Sequence, residues 1–310
     1  MEYTRILVPL DGSPLSESIL PYAVSFAERL NTRMELLHVI DLDALRTYFA
    51  TQQGRPIDEA EDEMKAHAAT YLQKVAASFS SKPFAIRQVV VVGSAPVMIL
   101  AQAEKEKGTL LAMATRGFSG AKRWFFGSVA DKVLHGAETP LLLFKGSPEE
   151  DLGKKVTIKR MLVPLDGSGL AEQILPHVTT LARAMTLKVE FLRIYSVPMT
   201  VATPAYPAAY PLAAQVPTLD AFREEAVDYL AGKVQQLREG EGLPEVSYTL
   251  TEGEAADQII EAAHQTEHSL IAMSTHGRSG VGRWILGSVA DRVIRQSGDP
   301  VFVIRPTAGA

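Results

Sequence analysis

The chain has 310 residues, 46% of them hydrophobic and 22% charged, which is enough for two ordinary domains with buried cores. A net charge of −5 does not favour a duplex-binding protein, and the absence of cysteine excludes disulfides, thiol catalysis and cysteine-ligated metals. No apolar run approaches the ~18 residues of a spanning helix, and Asp11 closes the first apolar run too early for a secretion signal, so a soluble cytoplasmic protein is expected.

Residues 5–10 are almost wholly apolar, as in a strand buried on both faces. Asp11-Gly12-Ser13-Pro14 then turns, with Ser13 suited to an N-cap and Pro14 to a first helical position. A helix is expected from there to about Leu30. Met34 to Ile40 reads as a second strand, and residues 57–79 carry helical spacing through Met64, Tyr71, Leu72 and Val75. Phe84 to Val92 is a valine-rich strand, Ala95 to Lys107 a helix, and Leu110 to Ala114 a fourth strand. A glycine-bearing loop over 115–127 leads into a helix at 128–136 and a last strand at 140–145. This alternation predicts a parallel sheet with helices on both faces.

The pattern then returns. Arg5-Ile6-Leu7-Val8-Pro9-Leu10-Asp11-Gly12-Ser13 recurs as Arg160-Met161-Leu162-Val163-Pro164-Leu165-Asp166-Gly167-Ser168, at an offset of 155. Gly127 to Val133 recurs as Gly287 to Val293 at an offset of 160, as do Trp124 with Trp284 and Pro140 with Pro300. A period this long marks a duplicated domain rather than a solenoid. The expected units are residues 1–146 and 156–310, with a polar linker over 147–155. The about five extra residues of the second copy fall in a proline-rich stretch within 197–217, either a lid over a pocket or a tolerated insertion.

In an open α/β sheet, ligands bind past the carboxyl ends of strands at the switch point of strand order. Two loops leave such ends: Asp11-Gly12-Ser13, and Thr115 to Ser128 with its three glycines and three basic residues. The second copy has Asp166-Gly167-Ser168 and Thr275 to Ser288. Glycines admit close backbone approach, and a helix N-terminus adds unpaired N–H groups and partial positive charge, so a phosphate site is expected in each half. Arg116, Lys122, Arg123, Arg278 and Arg283 either pair phosphates or are solvated loop charges. The pattern GxxxxGK[ST] does not occur, and no GxGxxG follows a strand.

These residues resemble the universal stress protein family in both copies. ATP-binding members carry Gly-x2-Gly-x9-Gly-Ser/Thr after the fourth strand. Gly117 with Gly127-Ser128, and Gly277 with Gly287-Ser288, fit the last three elements, while Ala114 and Ser274 stand in place of the first glycine. The resemblance runs from Arg5 to Lys145 and from Arg160 to Arg305. It implies two tandem five-stranded, parallel-sheet, Rossmann-like α/β domains forming a pseudo-twofold internal dimer through their last strands, Pro140 to Phe144 and Pro300 to Ile304. It also implies that Asp11 and Asp166 meet the ribose. Pro9, Leu10, Val39, Pro164, Leu165 and Ile194 would wall the adenine pocket, with Val39 and Ile194 offering main-chain groups. Met113 and Met273 would pack near base and sugar. Gly117, Gly127, Ser128 and Val129, with Gly277, Gly287, Ser288 and Val289, would give amides or a hydroxyl to the phosphates.

Plainer roles stand beside these. Ser128 and Ser288 match capping boxes with Asp131 and Asp291. Asp11 and Asp166 are also natural turn formers, and the valines and methionines are natural core. His276 faces Arg116 across the repeat, which argues against a shared catalytic base, and no histidines have metal-ligand spacing. The expected ligand is ATP, with AMP or ADP as alternatives and Mg²⁺ arriving only with the nucleotide. The expected role is a stress-response regulatory or signalling module with no catalytic residue of its own. A slow ATPase, or a dimerisation scaffold that has lost one or both sites, is the alternative. Protein partners and a homodimer of the whole chain are left open.

Overall fold

A computed structural model describes residues 2–41, 57–115, 126–146, 155–195, 219–277 and 286–307. The glycine loops beyond Thr115 and Gly277, nearly all of the 147–155 linker and the proline-rich stretch therefore lie outside the described residues, as does Gly117. In the first half, β1 (Arg5–Pro9), β2 (Arg33–Ile40), β3 (Ile86–Val92), β4 (Thr109–Ala114) and β5 (Leu141–Phe144) alternate with α1 (Pro14–Glu17), α2 (Leu20–Leu30), α3 (Ile57–Ala77), α4 (Ala95–Glu104) and α5 (Ser128–Gly136). The second half repeats this as β6 (Arg160–Pro164), α6 (Gly169–Glu172), α7 (Leu175–Met185), β7 (Lys188–Tyr195), α8 (Leu219–Gln235), β8 (Val246–Glu252), α9 (Ala255–His264), β9 (Ser269–Ser274), α10 (Ser288–Gln296) and β10 (Val301–Ile304).

The expected single helix after the first turn is two pieces in each half, broken at Ser18–Ile19 and at Gln173–Ile174. The cause is Pro21 and its counterpart Pro176, each in the first turn of the longer helix. A proline inside a continuous helix would lose its N–H bond and clash with the carbonyl four residues earlier, so the helix restarts instead.

All ten strands join one sheet, in the order β3-β2-β1-β4-β5-β10-β9-β6-β7-β8. Pairing is parallel within each half, and β5 and β10 meet antiparallel. Val301 pairs Leu143, Phe302 pairs Leu142 and Val303 pairs Leu141. Since Phe302 is the repeat counterpart of Leu142, the register is that of a twofold axis passing between these two residues. The joint leaves neither short apolar strand as an exposed edge.

Two apolar layers cover the sheet. One holds Phe26, Leu72, Phe191 and Phe302 and spans both halves, with α2 meeting α7. The other packs Ile99, Val133, Ile259 and Val293, from α4, α5, α9 and α10, on the opposite face. Polar anchoring repeats as well. Arg5 at the start of β1 donates to Glu35 of β2 at 2.8 Å, and Arg160 lies 3.0 Å from Glu190 at the matching place. No described helix is long and apolar enough to cross a membrane.

Candidate functional site

The strand order reverses between β1 and β4 in the first half and between β6 and β9 in the second. At each switch point the carboxyl ends of neighbouring strands splay and leave room for a ligand. A cavity of about 230 Å³ opens there in the first half, and one of about 210 Å³ in the second.

The first cavity is walled by Pro9 and Leu10, by Val39 of β2 and by Met113 of β4. Asp11 enters from the turn, and Gly127, Ser128 and Val129 enter from the start of α5. The second is walled by Pro164, Leu165, Ile194 and Met273, with Asp166, Gly277, Gly287, Ser288 and Val289 supplying the polar side. So every described residue singled out in the sequence borders a cavity. Wall positions missed include Ala95 and Ile99 of α4, and Ala255 and Ile259 of α9. Each pair is spaced four apart on one helix face, and the two pairs match at an offset of 160, which was a usable signal.

The acids are held by the turn they form. Oδ1 of Asp11 accepts from the Ser13 amide at 3.0 Å and from the Ser13 hydroxyl at 2.6 Å. Oδ1 of Asp166 accepts from the Ser168 amide at 2.9 Å. Gly12 and Gly167 follow with φ of 84° and 83°, in the left-handed region where glycine is needed. Thus the turn-forming role is real, and it aims each carboxylate at the cavity. Ser13 and Ser168 then cap α1 and α6 by accepting from Ser16 and Ala171. Each short helix is tied down by its glutamate: Tyr71 donates to Glu17 at 2.8 Å, and Tyr229 to Glu172 at 2.9 Å. Burial, and then these carboxylates, raise both phenols above their ordinary pKa.

β2 runs on to Ile40 although its last β1 partner is Leu37, and β7 runs on to Tyr195 beyond Leu192. The strand edges at Val39 and Ile194 are therefore past the β1 and β6 ladders and border the cavities.

At the phosphate end two expectations are corrected. Ser128 and Ser288 are not N-caps: Gly127 and Gly287 hold that position in extended conformation, and no side chain caps either helix among the described residues. The serines are first helical residues, so the amides of Ser128, Val129 and Ala130 sit in a first turn that has no intrahelical partners. Secondly, the amides of Gly127 and Gly287 are already used, donating to the Thr115 and Thr275 carbonyls at 2.8 and 2.9 Å. These glycines shape the loop, with their amides turned to its own carbonyls. Ala114 and Ser274, in place of the family's first glycine, end buried strands with no positive φ, so neither position requires glycine.

Two of the differences between the halves involve side chains that can carry charge. His276 lines the second cavity, with Nδ1 3.0 Å from Thr275 Oγ1 and Nε2 buried without a partner among the described residues. Its counterpart Arg116 lies outside the described residues. His38, edge-on to Tyr71 and lowered in pKa by burial, is matched in the second half by Arg193, whose guanidinium stacks 5.1 Å from the Tyr229 ring centre. No group of three or more histidine or acidic side chains suited to a metal ion occurs among the described residues.

The family profile of the universal stress protein family matches residues 2–145 and again 157–305. A universal stress protein of Mycolicibacterium smegmatis is 24% identical over 306 residues, 97% of this chain and 97% of its own. One from Methanocaldococcus jannaschii is 30% identical over 147 residues, covering 47% of this chain and 82% of its own. The solved structure of a universal stress protein from Archaeoglobus fulgidus shares the fold with a TM-score of 0.70 and 22% identity, over 98% of this chain and 99% of that one.

Proposed function

This chain belongs to the universal stress protein family through both of its halves, and on that premise we propose that each half binds ATP or another adenine nucleotide. The observation that carries the reading is the repeated cavity, in which one acid, an apolar wall and an uncapped helix start converge at a sheet switch point. A mainly apolar pocket with a few placed polar groups suits an adenosine. Its base would lie between the Leu10–Val39 and Met113 walls, or between Leu165–Ile194 and Met273. Asp11 and Asp166 would accept from ribose hydroxyls, since a carboxylate is acceptor-only when ionised. The phosphates would lie on the first turns of α5 and α10, receiving amides from Ser128 to Ala130 and from Ser288 to Ala290 together with the serine hydroxyls. Mg²⁺, if present, would come with the nucleotide and neutralise its phosphates.

Two sites within one sheet fit a regulatory binding module in a stress response better than an enzyme. Neither half offers a repeated base beside the helix start among the described residues: His276 has Arg116 as its counterpart. The test is mass spectrometry of the supernatant after denaturing protein purified without added ligand. Adenine nucleotide at near-stoichiometric level supports the reading; its absence, with no binding of added ATP, removes it.

A further inference from the structure

Arg295 lies in the last turn of α10, in the second half, yet two of its three contacts bear on the first. Its Nε donates to Asp291 of its own helix at 2.6 Å, and its Nη2 donates to Asp131 of α5 at 2.7 Å. The guanidinium carbon also stands 4.6 Å from the centre of the Phe126 ring. Phe126 immediately precedes Gly127, the N-cap of α5, and, like Val129, packs against the apolar layer that holds Ile99 and Val133.

The arrangement is not reciprocal. The repeat counterpart of Arg295 is His135, whose Nδ1 is 2.8 Å from the Asp131 carbonyl and 3.8 Å from an Asp131 carboxylate oxygen. It thus stays on its own helix. The counterpart of Phe126 is Leu286, which has no π face to offer a cation. A second arginine, Arg305, donates to the His135 carbonyl, so the end of α5 is also held from the second half.

Asp131 and Asp291 occupy the first turns of the two helices whose starts border the cavities. A carboxylate there favours the helix dipole but repels an anionic ligand. One guanidinium shared between both acids removes much of that repulsion, and its stacking on Phe126 fixes the residue that leads into the N-cap.

We infer that Arg295 is a positioning residue for the nucleotide site of the first half, supplied across the joint by the second half, so that the first site is braced by its neighbour and the second is not. This rests on the nucleotide reading above, which is tested separately below.

The experiment uses the full chain in two backgrounds, Ile194→Trp to fill the second cavity and Val39→Trp to fill the first, with calorimetric titration of ATP. Arg295→Ala is expected to weaken ATP binding roughly three- to tenfold at the first site, from the loss of one partly exposed ion pair and one cation–π contact, and less at the second. Adding Asp131→Asn to Arg295→Ala should recover part of the first-site loss, which a merely structural role would not allow. His135→Ala should leave the second site unchanged. Equal weakening at both sites, or no recovery with Asp131→Asn, overturns the assignment. Hydrogen exchange on the ligand-free chain gives an independent reading: Arg295→Ala should speed exchange at residues 126–131 more than at 286–291. If the unaltered chain binds no ATP, the nucleotide reading falls, while the exchange measurement still decides the brace: unchanged exchange overturns it.

Discussion

The Oδ2 atom of Asp166 lies against the backbone of Gly277 so closely that a Cβ on that glycine would stand 2.2 Å from it. The turn acid and the phosphate-loop glycine of the second half are thus in direct steric register. Asp166 cannot swing freely aside, because its other oxygen holds the Ser168 amide. Gly277→Ala is expected to displace the carboxylate and to weaken ATP at the second site by at least tenfold, or about 1.4 kcal/mol, without affecting the first. Titration in the Val39→Trp background checks this. Unchanged affinity there would detach Asp166 from the site.

Removing the acid itself should have a second readout. Asp11→Ala deletes the acceptor for the Ser13 amide and hydroxyl, which anchors the turn before α1. A loss of about 1 kcal/mol in stability is expected, along with weaker ATP binding at the first site. Urea unfolding and calorimetry on the same variant separate the two effects.

Acid sensitivity is expected to come from the joint between halves. His177 of α7 is hydrogen-bonded to the Tyr3 hydroxyl at 2.6 Å and packs on Phe302. Burial lowers its pKa to about 4 from the ordinary 6.5. A histidine with a lowered folded pKa takes up protons more readily when unfolded. Its contribution is therefore intact above about pH 6.5 and is lost as pH falls toward 4, by up to about 3 kcal/mol. The pH dependence of urea unfolding tests this, and His177→Phe should flatten the profile over that window.

The duplicated Arg–Glu anchors should differ in weight. Glu35 is fully buried against Arg5 and also accepts from Gln102 at 2.6 Å, whereas the Glu190 side chain is 24% exposed beside Arg160. Glu35→Ala leaves the buried Arg5 guanidinium with Glu106, 3.9 Å away, as its remaining carboxylate and should cost about 3 kcal/mol. Glu190→Ala leaves Arg160, whose side chain is 10% exposed against 3% for Arg5, with the Ala262 carbonyl as an acceptor and should cost about 2 kcal/mol. Denaturant midpoints of the two variants compare them directly.

Much of this was legible because duplication printed each signal twice. The apolar runs at Arg5 and Arg160, the turn acids and the Gly-x9-Gly-Ser spacing fixed strand, turn and helix start together, and the cavity walls followed from the family resemblance. Apart from the wall positions on α4 and α9, most of what was missed depended on single interior residues or on neighbours distant in sequence. Pro21 and Pro176 split helices that apolar spacing alone reads as continuous. Ser128 looks like a cap by its spacing to Asp131, yet the extended backbone of Gly127 takes that place. The reach of Arg295 to Asp131 spans 164 residues of sequence and arises only from the antiparallel joint of β5 and β10.

The central claim is two adenine-nucleotide sites in one chain, and the stoichiometry of ATP binding to the full protein tests it most directly. Calorimetric titration of nucleotide-free protein should reach two equivalents per chain, falling to one with either Val39→Trp or Ile194→Trp and to none with both. A titration with no saturable binding, or one whose stoichiometry neither substitution alters, would contradict the account.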